Sequence, residues 1–149
     1  MASASVSTLI IFIAAIAVAA SVSGVLVGTV SEISQSMDSQ GESVQKNLET
    51  DILIISDPGS DPTDGTDTVV LVKNTGSRTL PSDPKALDVV YNGEFVPSSN
   101  TTTTLPGDDT WREGAVLRVA IDRLPKTGKE NRVAVIVNQN EEVFRFYAE

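Results

Sequence analysis

The chain has 149 residues, no cysteine, no histidine, and 20 acidic against 11 basic side chains, a net charge of −9. Without thiolate or imidazole there is no Ser-His or Cys-His nucleophile pair and no ordinary zinc site, so most hydrolase and metalloenzyme chemistry is excluded. The acidic surface repels phosphate backbones, which disfavours nucleic acid, and a sequence pI near 4.4 suits a high-salt setting in which screening weakens self-repulsion.

No charged side chain occurs in residues 1–31. Residues 1–8 read as a short uncharged tail and 9–30 as a single transmembrane helix, because a hydrocarbon core about 30 Å thick takes roughly 20 helical residues. Ala17-Val18-Ala19 resembles a signal-peptidase site. A signal sequence, however, has a basic start and an apolar core of only about 7–15 residues, so a retained anchor is expected. The first base is Lys46, too distant to set the orientation by flanking charge. Ala20, Gly24 and Gly28 recur every fourth residue and make a helix-packing candidate, weighed against the general abundance of small residues in membrane helices. Val30, Ile33, Met37, Val44 and Leu48 carry a helical rhythm onward, so residues 31–49 read as a helical stalk. Gln40 and Gly41 interrupt the pattern, and a helical glycine costs about 1 kcal/mol.

From Thr50 the period becomes extended. Ile52–Ile55 is a short apolar run, Val69–Val72 a second, and Lys73-Asn74-Thr75-Gly76 a turn. Leu87, Val89 and Tyr91 alternate into Asn92-Gly93, a strong hairpin signal, with Phe95 on the returning strand. Ala115–Asp122 and Val133–Val137 alternate again, and Asn138–Glu141 turns the chain into Val143–Tyr147. The roughly 100 residues of 50–149 suffice for one modest core. The fold class is therefore mainly β: one N-terminal transmembrane helix with a helical extension, followed by an antiparallel immunoglobulin-like β-sandwich.

Asp57, Asp61, Asp64 and Asp67 could surround a calcium ion, but their spacing departs from an EF-hand loop and a solvated acidic loop is the default. No metal, cofactor or catalytic residue is assigned. Asn100-Thr101-Thr102 is a glycosylation sequon in a threonine-rich, turn-like stretch, which makes Asn100 a candidate for modification. Trp111, the single tryptophan, reads first as a core or rim plug and second as an interface anchor. The acid pairs Asp108-Asp109 and Glu141-Glu142 read as solvated charge.

Taken in order, the apolar helix, Thr50–Asp57, Leu71-Val72-Lys73-Asn74-Thr75-Gly76-Ser77, Thr79-Leu80-Pro81, Trp111-Arg112-Glu113-Gly114, Val135-Ile136-Val137-Asn138 and Glu141-Glu142-Val143-Phe144 resemble the haloarchaeal FlaG (ArlG) family of archaellum accessory proteins. The resemblance implies a non-enzymatic, membrane-anchored sandwich in the extracellular space beneath the surface layer. It also implies self-association and contacts with a FlaF-like (ArlF) partner and the surface-layer protein, as the stationary part against which a motor turns. The basic, glycine-containing segment that prepilin peptidases cut in archaellins and pilins is not found in Met1–Thr8. A pilin-like filament or adhesion subunit is the alternative reading, and an enzymatic or solute-binding ectodomain lacks a convergent polar constellation.

Overall fold

The computed structural model describes residues 2–148. Its contacts divide the chain into two compact units, Met1–Ser43 and Val44–Glu149. Helix α1 runs Ala2–Glu49. It includes residues 2–8, where the sequence predicts a tail; Met1 lies outside the described residues. Gln40 and Gly41 are helical too. The Ser39 and Ser43 hydroxyls there bond back to the carbonyls four residues earlier, and the small propensity cost of one glycine does not stop propagation.

Among the described residues α1 is the one helix long and apolar enough to cross a membrane. Ile11, Phe12 and Val27 are 62–71% exposed. Three of its hydroxyls are satisfied internally: Thr8, Ser21 and Thr29 donate to the carbonyls of Ala4, Ala17 and Val25 at 2.8, 2.8 and 3.0 Å. Such back-bonding lets a hydroxyl sit in hydrocarbon, where an unpaired one would be costly.

The second unit holds two four-stranded antiparallel sheets. One comprises β1 (Ile52–Ile54), β2 (Thr68–Asn74), β6 (Val116–Ile121) and β5 (Thr101–Thr104), in the order β1-β2-β6-β5. The other comprises β4 (Glu94–Val96), β3 (Asp88–Tyr91), β7 (Lys129–Val137) and β8 (Asn140–Ala148), in the order β4-β3-β7-β8. The alternation read from sequence sets the faces. Val70, Val72, Leu117, Val119 and Ile121 of the first sheet share one buried cluster with Val89, Val133, Val135, Val137, Phe144 and Phe146 of the second. The Phe144 and Phe146 rings stack at 5.3 Å.

Three strands differ from expectation. Thr101–Thr104 is strand β5, not a turn-like stretch, because β-branched threonines suit the pleat and pair with Arg118–Ile121 of β6. β7 and β8 are each nine residues long. Charged residues extend them beyond the apolar alternation, as in the Arg132↔Arg145 and Glu130↔Tyr147 pairs.

The β3–β4 hairpin turns at Asn92 and Gly93, with φ of 51° and 86°, the doubly left-handed geometry that Asn-Gly favours. The β7–β8 hairpin makes the same demand of Asn138 and Gln139, with φ of 48° and 68°. A glutamine there meets the Cβ penalty of left-handed backbone. Gln139→Gly is therefore expected to stabilise the domain by about 0.5–1 kcal/mol, read as a higher urea midpoint.

At one end of the core the Tyr91 hydroxyl lies 3.3 Å from Thr68 Oγ1. Burial pushes the phenol above its ordinary value near 10, the Thr68 contact opposes the shift, and the charge of Asp61 adds to it. The folded state thus holds the phenolic proton more tightly than the unfolded chain. The associated stability is complete below about pH 10 and is lost as pH rises through the higher folded value. Urea midpoints at pH 9 and 11 should fall more for the wild type than for Tyr91→Phe.

Candidate functional site

Several of the separated sequence strings that carry the family resemblance meet at one place, around the residues where α1 ends. Helix exit begins with Thr50, which is buried and whose hydroxyl donates to the Lys46 carbonyl at 2.6 Å. Asn138 Nδ2 donates to that same hydroxyl oxygen at 3.2 Å, and Asn47 Nδ2 reaches Gln139 Oε1 at 3.4 Å. The β7–β8 turn therefore holds one side of the last helical turn.

The turn after β2 holds the other side. Thr75 and Gly76 N–H groups both donate to the Asp51 carbonyl, at 2.9 and 3.0 Å, and Thr75 Oγ1 donates to Asp51 Oδ2 at 2.6 Å. Arg78 N–H donates to the Glu49 carbonyl at 3.3 Å, satisfying one of the acceptors that a helix C-terminus leaves open. The Arg78 and Glu49 side chains approach to 3.6 Å while remaining 39% and 35% exposed, so that pair adds at most about 1 kcal/mol.

Asn74 ties this turn to the core. It is fully buried, donates through Nδ2 to the carbonyls of Arg78 at 2.7 Å and Trp111 at 2.9 Å, and accepts from Gly76 N–H at 3.0 Å through Oδ1. An apolar residue would take this donor away from both carbonyls, which is why the last position of β2 carries an amide. Trp111 sits beneath, 0% exposed, and its carbonyl also accepts Leu80 N–H at 2.9 Å. Gly114 adopts φ of 80° and donates to the Asn74 carbonyl at 2.8 Å. The strings Lys-Asn-Thr-Gly-Ser, Thr-Leu-Pro and Trp-Arg-Glu-Gly thus build one joint. Gly76 is its tightest point: a Cβ there would lie 2.3 Å from the Glu49 carbonyl oxygen and 2.6 Å from Asp51 N.

The other candidates are dispersed. Gly24 and Gly28 face open space, with nothing within 4 Å of an added Cβ, and Ala20 is exposed. Trp111 is fully buried in the core. Asn100 closes a short 3-10 turn, Ser98–Asn100, that leads into β5. In the acidic loop Asp64 pairs with Arg118 and Asp57 Oδ1 accepts from Gly59 N–H at 2.9 Å. Among the described residues no three carboxylates gather to hold a metal ion. Asp108 and Glu141 pair with Arg112 and Arg132 at 2.7 and 3.4 Å, as surface charge. Asp51, Gly76 and Arg78 escaped the sequence reading as a joint. The available signal was Asn-x-Gly at the end of a strand.

A membrane-length apolar helix that leads into an antiparallel two-sheet domain, joined through its backbone, defines a helix-and-sandwich protein. The chain belongs to the archaeal-type flagellin family, whose pattern matches residues 2–144. Flagella-related protein G of Methanococcus voltae is 34% identical over 102 residues, covering 68% of each chain. The protein of the same description from Methanocaldococcus jannaschii is 29% identical over 127 residues, covering 82% of this chain and 81% of its own. The solved archaellum periplasmic stator protein FlaG from Sulfolobus acidocaldarius overlaps 65% of this chain and 99% of its own, with 18% identity and a TM-score of 0.48.

Proposed function

We propose that the chain is a non-enzymatic stator component of archaellum-driven motility. Residues 9–30 anchor it in the cell membrane, residues 31–49 form a stalk, and the sandwich of residues 50–149 stands outside the cell beneath the surface layer. The joint at Glu49–Asp51 is the observation that supports this reading best. A rotor's reaction torque must pass from the part that grips the envelope to the part that holds the membrane, and a slack linker would dissipate it. Here the helix exit is tied by backbone hydrogen bonds to one turn and by side chains to another.

One helix in fluid lipid resists lateral drag poorly. Self-association, a FlaF-like partner and the surface-layer protein supply the missing anchorage by multivalent attachment. The uncovered Ala20, Gly24 and Gly28 face suits close approach of a second helix. A clean deletion should abolish swimming while archaellum filaments remain detectable by electron microscopy; unimpaired swimming would remove the assignment. Recovery of the chain in sheared filaments would instead favour a filament subunit.

A further inference from the structure

We propose that Asn100 carries an N-linked glycan that shields the edge of β5; the proposal rests on the reading that the sandwich lies outside the cell. Asn100-Thr101-Thr102 is the single Asn-x-Ser/Thr sequence in the chain. Its local structure presents the acceptor. The Asn100 backbone is held by its N–H on the Pro97 carbonyl and by its carbonyl on Asp122 N–H, both at 2.9 Å. Ser99 Oγ donates to Asn100 Oδ1 at 2.9 Å. The amide oxygen is engaged, while Nδ2, the atom that would be glycosylated, has no hydrogen-bond partner among the described residues.

Thr101 is extended, with φ −129° and ψ 130°, and only 6% exposed. Because side chains alternate along extended chain, a buried Thr101 turns Thr102 outward, while Asn100, the last residue of the 3-10 turn, is half-buried. Thr102 is exposed and the Asn100 amide is partly accessible, so both groups that define the sequon reach solvent.

The position also meets a need of the fold. Outermost strands invite pairing with other chains and are normally blunted by charge, proline or cover. β4 carries Glu94, which pairs with Arg123 at 3.2 Å. β8 carries Glu141, Glu142 and Arg145, and β1 lies against β8. β5 is four threonines with neither charge nor proline. A hydrated glycan at its first turn would block strand addition there.

The donor is a lipid-phosphate-linked oligosaccharide. Nδ2 of Asn100 attacks the anomeric C1, the N–C1 bond forms, and the C1–O bond to phosphate breaks. The lipid phosphate departs with the bonding electron pair, and the displaced Nδ2 proton passes to water.

The test uses full-length protein from the membranes of its native host. Tryptic peptide 86–112 should be heavier than its sequence mass by whole sugar residues. The added mass should vanish in Asn100→Gln and in Thr102→Ala and persist in Thr102→Ser. Added mass that survives Asn100→Gln would place the sugar on a threonine and overturn the proposal. Because the chain has no cysteine, Asp109→Cys on an exposed loop reports topology separately, through a membrane-impermeant maleimide applied to intact cells. Labelling with an unmodified peptide 86–112 overturns the glycan and leaves the outside location standing. No labelling and no added mass overturns both.

Discussion

Gly76→Val should lower the thermal midpoint of the sandwich by roughly 10 °C or more, the signature of a loss of about 2–3 kcal/mol in a domain of this size. The reason lies in what surrounds the missing Cβ. Its two nearest neighbours, the Glu49 carbonyl oxygen and Asp51 N, are backbone atoms at 2.3 and 2.6 Å, and no rotamer change can relieve such overlaps. Relief requires the turn to withdraw from the helix exit. That would stretch the Thr75 and Gly76 bonds to Asp51 and the Arg78 bond to Glu49 together. Fluorescence of the single, buried tryptophan reports the transition directly. Gly41→Ala is the matched control, since nothing lies within 4 Å of its added methyl; it should leave the midpoint of the sandwich unchanged. If Gly76→Val melts with the wild type, the joint is loose and the route proposed for torque through it fails. A stable but non-swimming Gly76→Ala strain would instead separate the mechanical role of the joint from its role in folding.

Trp111→Ala should cost about 3–5 kcal/mol, a large part of the 5–15 kcal/mol by which such domains are stable. Removing the indole opens a cavity in the core, and Asn74 Nδ2 and Leu80 N–H are both held on the carbonyl of residue 111 itself, so these neighbours cannot easily collapse inward. Trp111→Phe should behave differently. The indole Nε1 is buried without a hydrogen-bond partner. A phenyl ring gives up some contact area but removes that unmet donor, and the two terms nearly offset, leaving a change within about 1.5 kcal/mol. Urea unfolding followed by circular dichroism measures both variants. An accessible interface anchor would show the opposite pattern, with unaltered stability and lost partner binding after Trp111→Ala.

Several elements were legible from local pattern. The uncharged opening spelled a helix of membrane length, the alternation through Val116–Ile121 assigned the buried face of β6, and Asn92-Gly93 marked a two-residue hairpin. β5 was missed because four threonines offer no contrast between an inner and an outer face, although Thr101 is buried and Thr102 is exposed. Lys73-Asn74-Thr75-Gly76 was legible as a turn but not as a joint. Asn74 is a polar residue that one expects in solvent, and the three groups that satisfy it come from Gly76, Arg78 and the distant Trp111.

The residues alone determined that an apolar helix leads into β structure, which side of most strands is buried, and that thiolate and imidazole chemistry is impossible. These depend on composition and on periods of 3.6 and 2, which neighbouring residues establish among themselves. Tertiary structure alone decided that β2 pairs with β6 across Thr68↔Ile121 and β3 with β7 across Asp88↔Ile136. It alone placed residues 49–51, 74–78, 111–114 and 138–139 around one helix exit. An alternating strand states which face it buries but not which edge it joins, and that choice rests on packing among residues far apart in the chain.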